Sequence, residues 1–140
     1  MKKTLLLILL SFTIFGCNKD KFNNNNPYLP NYGFSMDVNI NLPNYNQLTF
    51  TGNGIRVYPA NGPSKGVIIF NTGSTYNAFD GACPNQNISS CSLLTISGSN
   101  ANCPCSSENY NLFTGQSPGK EYPLKQYRVE VNGDIIRVYN

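Results

Sequence analysis

Apolar and polar residues alternate with a period of two along most of the chain, which predicts strands rather than helices. Met36, Val38, Ile40 and Leu42 alternate with Asp37, Asn39 and Asn41, the pattern of a half-buried strand. Ile55 to Tyr58 follows Asn53-Gly54, and Tyr76 to Asp80 is a further candidate. Gly66 to Asn71 differs in kind, because Val67-Ile68-Ile69-Phe70 is an unbroken apolar run fit for a central strand. Leu93 to Ile96 and Tyr110 to Phe113 are short candidates. At the C-terminus, Tyr127 to Val131 and Asp134 to Tyr139 flank Asn132-Gly133, a pair that predicts a two-residue hairpin with positive φ at both central positions. No segment has the spacing of an amphipathic helix and no internal repeat is visible, so the expectation is an all-β domain over residues 34–140.

The N-terminal residues follow another pattern. Lys2-Lys3 and the apolar run from Leu5 to Phe15 read as a secretion signal over residues 1–16. The run is too short to cross a bilayer, which takes roughly 20 residues. Ile14-Phe15-Gly16-Cys17 resembles a bacterial lipobox, which implies lipidation of Cys17 and attachment to a membrane. The implied address is the cell envelope, as an outer-membrane lipoprotein facing periplasm or cell surface, since Asn18 is not an obvious inner-membrane retention signal. Residues 17–33, with Asn23 to Asn26, Pro27 and Pro30, have little to bury and read as a flexible tether. Such a tether would separate domain and lipid by roughly 20 Å.

Charge and composition remove several functions. The formal charge of the whole chain is +3, and Lys2 and Lys3 leave with the signal, so the mature domain is close to neutral. Arg56, Arg128 and Arg137 are scattered and read as isolated solvated charges, so no nucleic-acid partner is expected. The chain has no histidine, which rules out the usual hydrolase triad. Asp37, Asp80, Glu108, Glu121 and Glu130 show no spacing that pairs carboxylates for glycosidase chemistry. No catalytic residue emerges, and the expectation is that the chain is not an enzyme. The tyrosines, among them Tyr28, Tyr32, Tyr45, Tyr76 and Tyr110, read as half-buried strand packing.

With Cys17 assigned to lipid, Cys83, Cys91, Cys103 and Cys105 remain, an even number in an oxidising compartment, where disulfides are the default. Four cysteines allow three pairings. A Cys103–Cys105 bridge across Pro104 alone would close a small strained ring, which disfavours one pairing and leaves the other two open. Four-cysteine zinc binding is disfavoured as well, because structural zinc sites prefer spacers longer than the single Pro104. No flanking group marks one thiol as reactive.

Ala78-Phe79-Asp80-Gly81-Ala82-Cys83-Pro84 resembles the first ligand loop of the Rieske [2Fe–2S] domain family, and Cys103-Pro104-Cys105-Ser106-Ser107 resembles the second, normally Cys-Pro-Cys-His-Gly. Tyr110 to Gly115, Ser117-Pro118-Gly119 and Pro123 to Tyr127 are similar to the stretch that follows in the family. The resemblance implies stacked small antiparallel sheets with two cysteine-bearing loops at one end. It also implies that the cluster-ligand positions are Cys83, Asn85, Cys103 and Ser106. The family has imidazoles where Asn85 and Ser106 stand, and a carboxamide and a hydroxyl are weak donors to iron. Carried over from the family, the pairing is Cys83–Cys103 in place of the cluster and Cys91–Cys105 as the inter-loop bridge. A bridge such as Cys91–Cys105 contributes roughly 3 kcal/mol in the chain-entropy picture.

The functional expectation is a lipid-anchored envelope protein of Rieske-like fold that holds no cofactor or metal. It would act as a non-catalytic binding or structural accessory to an unidentified envelope protein or ligand. The alternative is a [2Fe–2S] electron-transfer protein with atypical ligands.

Overall fold

The computed structural model describes residues 24–140, so the expected signal and Cys17 lie outside the described residues. Among the described residues nine strands form: β1 (Ser35–Asn39), β2 (Gly54–Val57), β3 (Val67–Asn71), β4 (Tyr76–Asp80), β5 (Thr95–Ser97), β6 (Asn100–Asn102), β7 (Asn109–Asn111), β8 (Gln126–Asn132) and β9 (Ile135–Tyr139). A single 3-10 turn, Asn46–Thr49, is the only helical element among the described residues. No described helix is long and apolar enough to cross a membrane. All pairing is antiparallel, in a six-stranded sheet of order β1-β9-β8-β4-β3-β2 and a three-stranded sheet β5-β6-β7.

The apolar run of β3 is explained by two cores. Val67 and Ile69 point into one, with Val38, Leu48, Val57, Tyr127, Ile136 and Val138. Ile68 and Phe70 point into the other, with Phe79, Leu94, Tyr110, Leu112, Cys83 and Cys103. Successive strand residues face opposite sides, so a strand sandwiched between two cores must be apolar at every position. The second core carries both bridged cysteines Cys83 and Cys103 at zero exposure, so the candidate site is part of the domain interior.

Several expected boundaries move for local reasons. β1 stops at Asn39 rather than running to Leu42, because the Asn39 carboxamide accepts from the Asn41 amide and turns the chain. Tyr58 lies beyond β2 and is exposed. The segment expected at Leu93 contributes only an isolated Ala82–Leu93 bridge before β5 begins at Thr95. The terminal hairpin forms, but Asn132 pairs with Ile135, so the two loop residues are Gly133 and Asp134. Gly133 has φ +59° and Asp134 is not among the positive-φ residues, so the turn has glycine at its first central position, the II′ geometry.

Of the tether expected over residues 17–33, residues 17–23 lie outside the described residues. From Asn24 onward the segment lies on the domain, with Leu29 3% exposed. Asn26 folds it locally, its carboxamide oxygen accepting from the amides of Tyr28 and Leu29, while its Nδ2 donates to the Pro84 carbonyl at 2.8 Å. Lys125, 3% exposed, donates to the Leu29 carbonyl at 3.1 Å, the Pro30 carbonyl at 2.9 Å and Asn31 Oδ1 at 2.6 Å. The Tyr28 ring meets Tyr122 edge-on, and Asn140 Nδ2 donates to the Tyr32 carbonyl. A polar, proline-containing stretch docks here because its carbonyls satisfy a buried ammonium, a signal that hydrophobic patterning does not carry.

Candidate functional site

Two loops meet at one end of the domain. The first leaves β4 and runs to β5, closed at its base by the Cys83 amide donating to Ser92 O at 2.9 Å and the Leu94 amide donating to Gly81 O at 2.9 Å. Gly81 is required there, since a Cβ would collide with Arg56 and with the carbonyls of Lys65 and Gly66. The Arg56 guanidinium donates to the carbonyls of Lys65, Gly81 and Leu94 and so fastens both ends of this loop to β2. It is therefore not the isolated solvated charge expected from the sequence. Arg137 does lie exposed, paired with Asp37. The second loop joins β6 to β7, with the Cys103 amide donating to Glu108 O at 2.8 Å and the Ser107 amide donating to Cys103 O at 2.8 Å. Ser107 occupies φ +60°, a left-handed conformation that glycine adopts more easily.

The loops are joined by two disulfides. Cys83 bonds Cys103, with Cα atoms 5.6 Å apart, and Cys91 bonds Cys105, with Cα atoms 5.2 Å apart. The inner bridge is fully buried, whereas Cys91 is exposed and Cys105 half-buried. The Sγ atoms of Cys83, Cys103 and Cys105 all lie within 4.8 Å of one another.

Asn85 and Ser106 are held by hydrogen bonds. Asn85 Nδ2 donates to the Tyr110 hydroxyl at 2.9 Å and the Tyr122 carbonyl at 2.7 Å, and its Oδ1 accepts from the Tyr122 amide at 3.0 Å. Ser106 Oγ lies 3.3 Å from Cys103 Sγ and is hydrogen-bonded to Glu108 Oε2. The Tyr110 hydroxyl reaches the same carboxylate oxygen at 3.4 Å, and Lys120 forms an ion pair with Glu108. Burial pushes the Glu108 carboxyl up, but hydrogen bonds from Lys120 and Ser106 and the Lys120 charge prevail, so its pKa is lowered. Burial drives the Tyr110 phenol up to about 12, so it stays protonated.

A cluster with two thiolates and two imidazoles needs ionised Cys83 and Cys103 and nitrogen donors at residues 85 and 106. The residues present do not fit that requirement: the two sulfurs are bonded to each other and the other two positions carry an amide and a hydroxyl engaged with protein groups. The sequence places all of Cys83, Asn85, Cys91, Cys103, Cys105 and Ser106, and the fold gathers them at one end. It does not reveal Glu108, Tyr110, Lys120 or Tyr122 as their partners. Glu108, two residues after Ser106, is the one mark of this network in the sequence, and it meets a hydroxyl and a lysine rather than a second carboxylate.

No family model matches the chain, and no curated protein matches it. Solved structures do. A protein described as an NADH-dependent nitrite reductase small subunit from Mycobacterium tuberculosis is similar over 79% of this chain and 97% of its own, at 16% identity and TM-score 0.50. A ferredoxin of Sphingomonas yanoikuyae B1 is 20% identical over 67% of this chain and 93% of its own, with TM-score 0.49. The complex of reduced oxygenase and oxidized ferredoxin in carbazole 1,9a-dioxygenase supplies a chain 24% identical, covering 64% of this chain and 82% of its own, with TM-score 0.47. With the motif order in the sequence and the nitrite reductase likeness, the fold is Rieske-like: all-β, antiparallel, with the cysteine-bearing loops at one end.

Proposed function

We propose that the chain is a lipid-anchored cell-envelope protein whose Rieske-like domain has given up its iron–sulfur cluster and acts as a non-catalytic binding or structural accessory. The observation that carries this reading is the Cys83–Cys103 bridge, which occupies the two thiolate positions while Asn85 and Ser106 are tied into the protein. Sulfur–sulfur bonds do here what a metal would otherwise do, holding two loops together. The anchor is Cys17, and the partner is an envelope protein or ligand that meets the domain near the membrane.

Anaerobic purification followed by iron, acid-labile sulfide and disulfide analysis of one sample tests the reading. The expected result is no stoichiometric iron and both bridges intact. Visible cluster absorbance with stoichiometric iron would instead support the [2Fe–2S] electron-transfer reading, which the proximity of Cys83, Cys103 and Cys105 favours. Radiolabelled fatty acid should enter the intact chain and fail to enter Cys17→Ala. Protease shaving of intact cells then separates a surface domain from a periplasmic one.

A further inference from the structure

The two bridges differ in access yet share a neighbourhood. Cys83 and Cys103 are at zero exposure, so no outside thiol reaches their bond in the folded protein. Cys91 is exposed, and its partner Cys105 is the one outer sulfur within 4.8 Å of both inner ones. Cys105 therefore belongs to the outer bond and faces the inner one.

We propose that the bridges form a thiol–disulfide exchange relay, in which a dithiol reductant reacts at Cys91 and the thiolate freed on Cys105 reopens the buried Cys83–Cys103 bond. This inference goes beyond the accessory role and does not rest on it. One thiolate of the dithiol attacks Cys91 Sγ, forming a mixed disulfide and expelling Cys105 as thiolate. Cys105 then attacks Cys83 Sγ, so that a Cys83–Cys105 bond forms and Cys103 leaves as thiolate. Attack on Cys103 instead would close the small ring across Pro104. The second thiol of the reductant attacks the mixed disulfide, which releases Cys91 and leaves the reductant as its own disulfide. The protein gains two electrons and two protons, as thiols at Cys91 and Cys103.

Hydroxyl groups stand at both leaving sulfurs. Ser89 Oγ is 3.3 Å from Cys91 Sγ and 3.7 Å from Cys105 Sγ, and Ser92 Oγ is 3.9 Å from Cys105 Sγ. Ser106 Oγ is 3.3 Å from Cys103 Sγ and is hydrogen-bonded to Glu108, whose partner Lys120 is exposed. A hydroxyl donating to a developing thiolate stabilises it as a leaving group. Ser106 has one hydroxyl proton, shared in the resting protein with Glu108; on cleavage it turns from the carboxylate to the Cys103 thiolate 3.3 Å away, which gives Ser106 a defined task at the place where an iron ligand would stand.

The full chain is treated with limiting dithiothreitol, quenched in acid, alkylated and mapped by mass spectrometry. The expected first product carries alkyl groups on Cys91 and Cys103 and a Cys83–Cys105 bond. Two variants separate the relay from simple loosening, since each removes the outer bridge. Cys91→Ser leaves a thiol at Cys105 and should yield the Cys83–Cys105 bond without reductant. Cys105→Ser leaves the Cys91 thiol, which lies outside the sulfur triad, so this variant should keep Cys83–Cys103 alone and should be reduced about tenfold more slowly than Cys91→Ser, because it lacks an internal nucleophile. Equal behaviour of the two variants, or a trapped wild-type intermediate with Cys91 and Cys105 alkylated and Cys83–Cys103 intact, overturns the relay. Should a variant fail to fold, the wild-type mapping decides alone.

Discussion

The Tyr127 hydroxyl donates a 2.7 Å hydrogen bond to Asp80 Oδ2 between β4 and β8, inside the protein, where Asp80 is 1% exposed. The other oxygen of Asp80 accepts from the Ala82 amide at 2.9 Å, one residue before Cys83. The pair therefore joins the terminal hairpin to the start of the first sulfur loop. Tyr127→Phe removes the donor and keeps the ring against Phe34, and it should cost about 1.5–3 kcal/mol, the range for hydrogen bonds to charged groups. Urea unfolding at neutral pH measures this, and a loss near zero would show that Asp80 has no need of the phenol.

Burial raises the pKa of Asp80 above its ordinary 3.8, against the opposing effects of the Tyr127 and Ala82 hydrogen bonds and of Lys125 and Arg56. The folded state then holds the Asp80 proton more tightly than the unfolded state. Its contribution is therefore a penalty present above the folded pKa, which disappears as the pH falls towards 3.8. Asp80→Asn should flatten that part of the stability profile. A difference curve between wild type and variant with no slope between 3.8 and neutrality would refute the assignment.

Ser107 sits at φ +60°, at the position where the resemblance puts glycine. Ser107→Gly should therefore stabilise the chain, by about 1 kcal/mol, because a left-handed non-glycine residue costs roughly 1–2 kcal/mol. Thermal unfolding of oxidised protein is the check, and a lower midpoint would mean that the serine hydroxyl outweighs its backbone cost.

Lys125 holds the N-terminal segment through three oxygen acceptors, and burial lowers its pKa although the Asp80 carboxylate acts in the other direction. Lys125→Met keeps the stem and deletes the ammonium. Amides of residues 24–33 should exchange faster and proteases should cut there first, with about 1–3 kcal/mol of stability lost through the unsatisfied acceptors. Uniformly increased exchange across β3 and β4 would point to a role in the whole fold instead.

The sequence discloses the elements whose cause is local or repeated. The buried run of β3, the terminal hairpin and the cysteine loops are of this kind, as is the all-β class. Asn100-Ala101-Asn102 carries no strand signal in the sequence, since β6 is three residues long and only Ala101 is buried. The hairpin loop lies one residue beyond the Asn132-Gly133 expectation, because Asn-Gly permits positive φ at both positions while the register places Gly133-Asp134 in the turn. Residues 24–33 read as tether in the sequence because what binds them is Lys125, far along the chain. Long-range polar contacts such as this one, or Asn85 with Tyr122, leave no periodic trace.

Asn24 donates to the Gln126 carbonyl and to Asn140 Oδ1, and Asn26 donates to the Pro84 carbonyl, so the N-terminal segment meets the domain at the start of β8 and beside the first sulfur loop. On the proposed anchor at Cys17, the stretch between the lipid and Asn24 is residues 18–23. Even fully extended, at 3.3–3.6 Å per residue, it reaches roughly 25 Å. With that anchor the domain would be on a short leash attached near its sulfur-bearing end, and that end would stay close to the headgroups. A partner that engages these loops would have to be embedded in the membrane or lying against it.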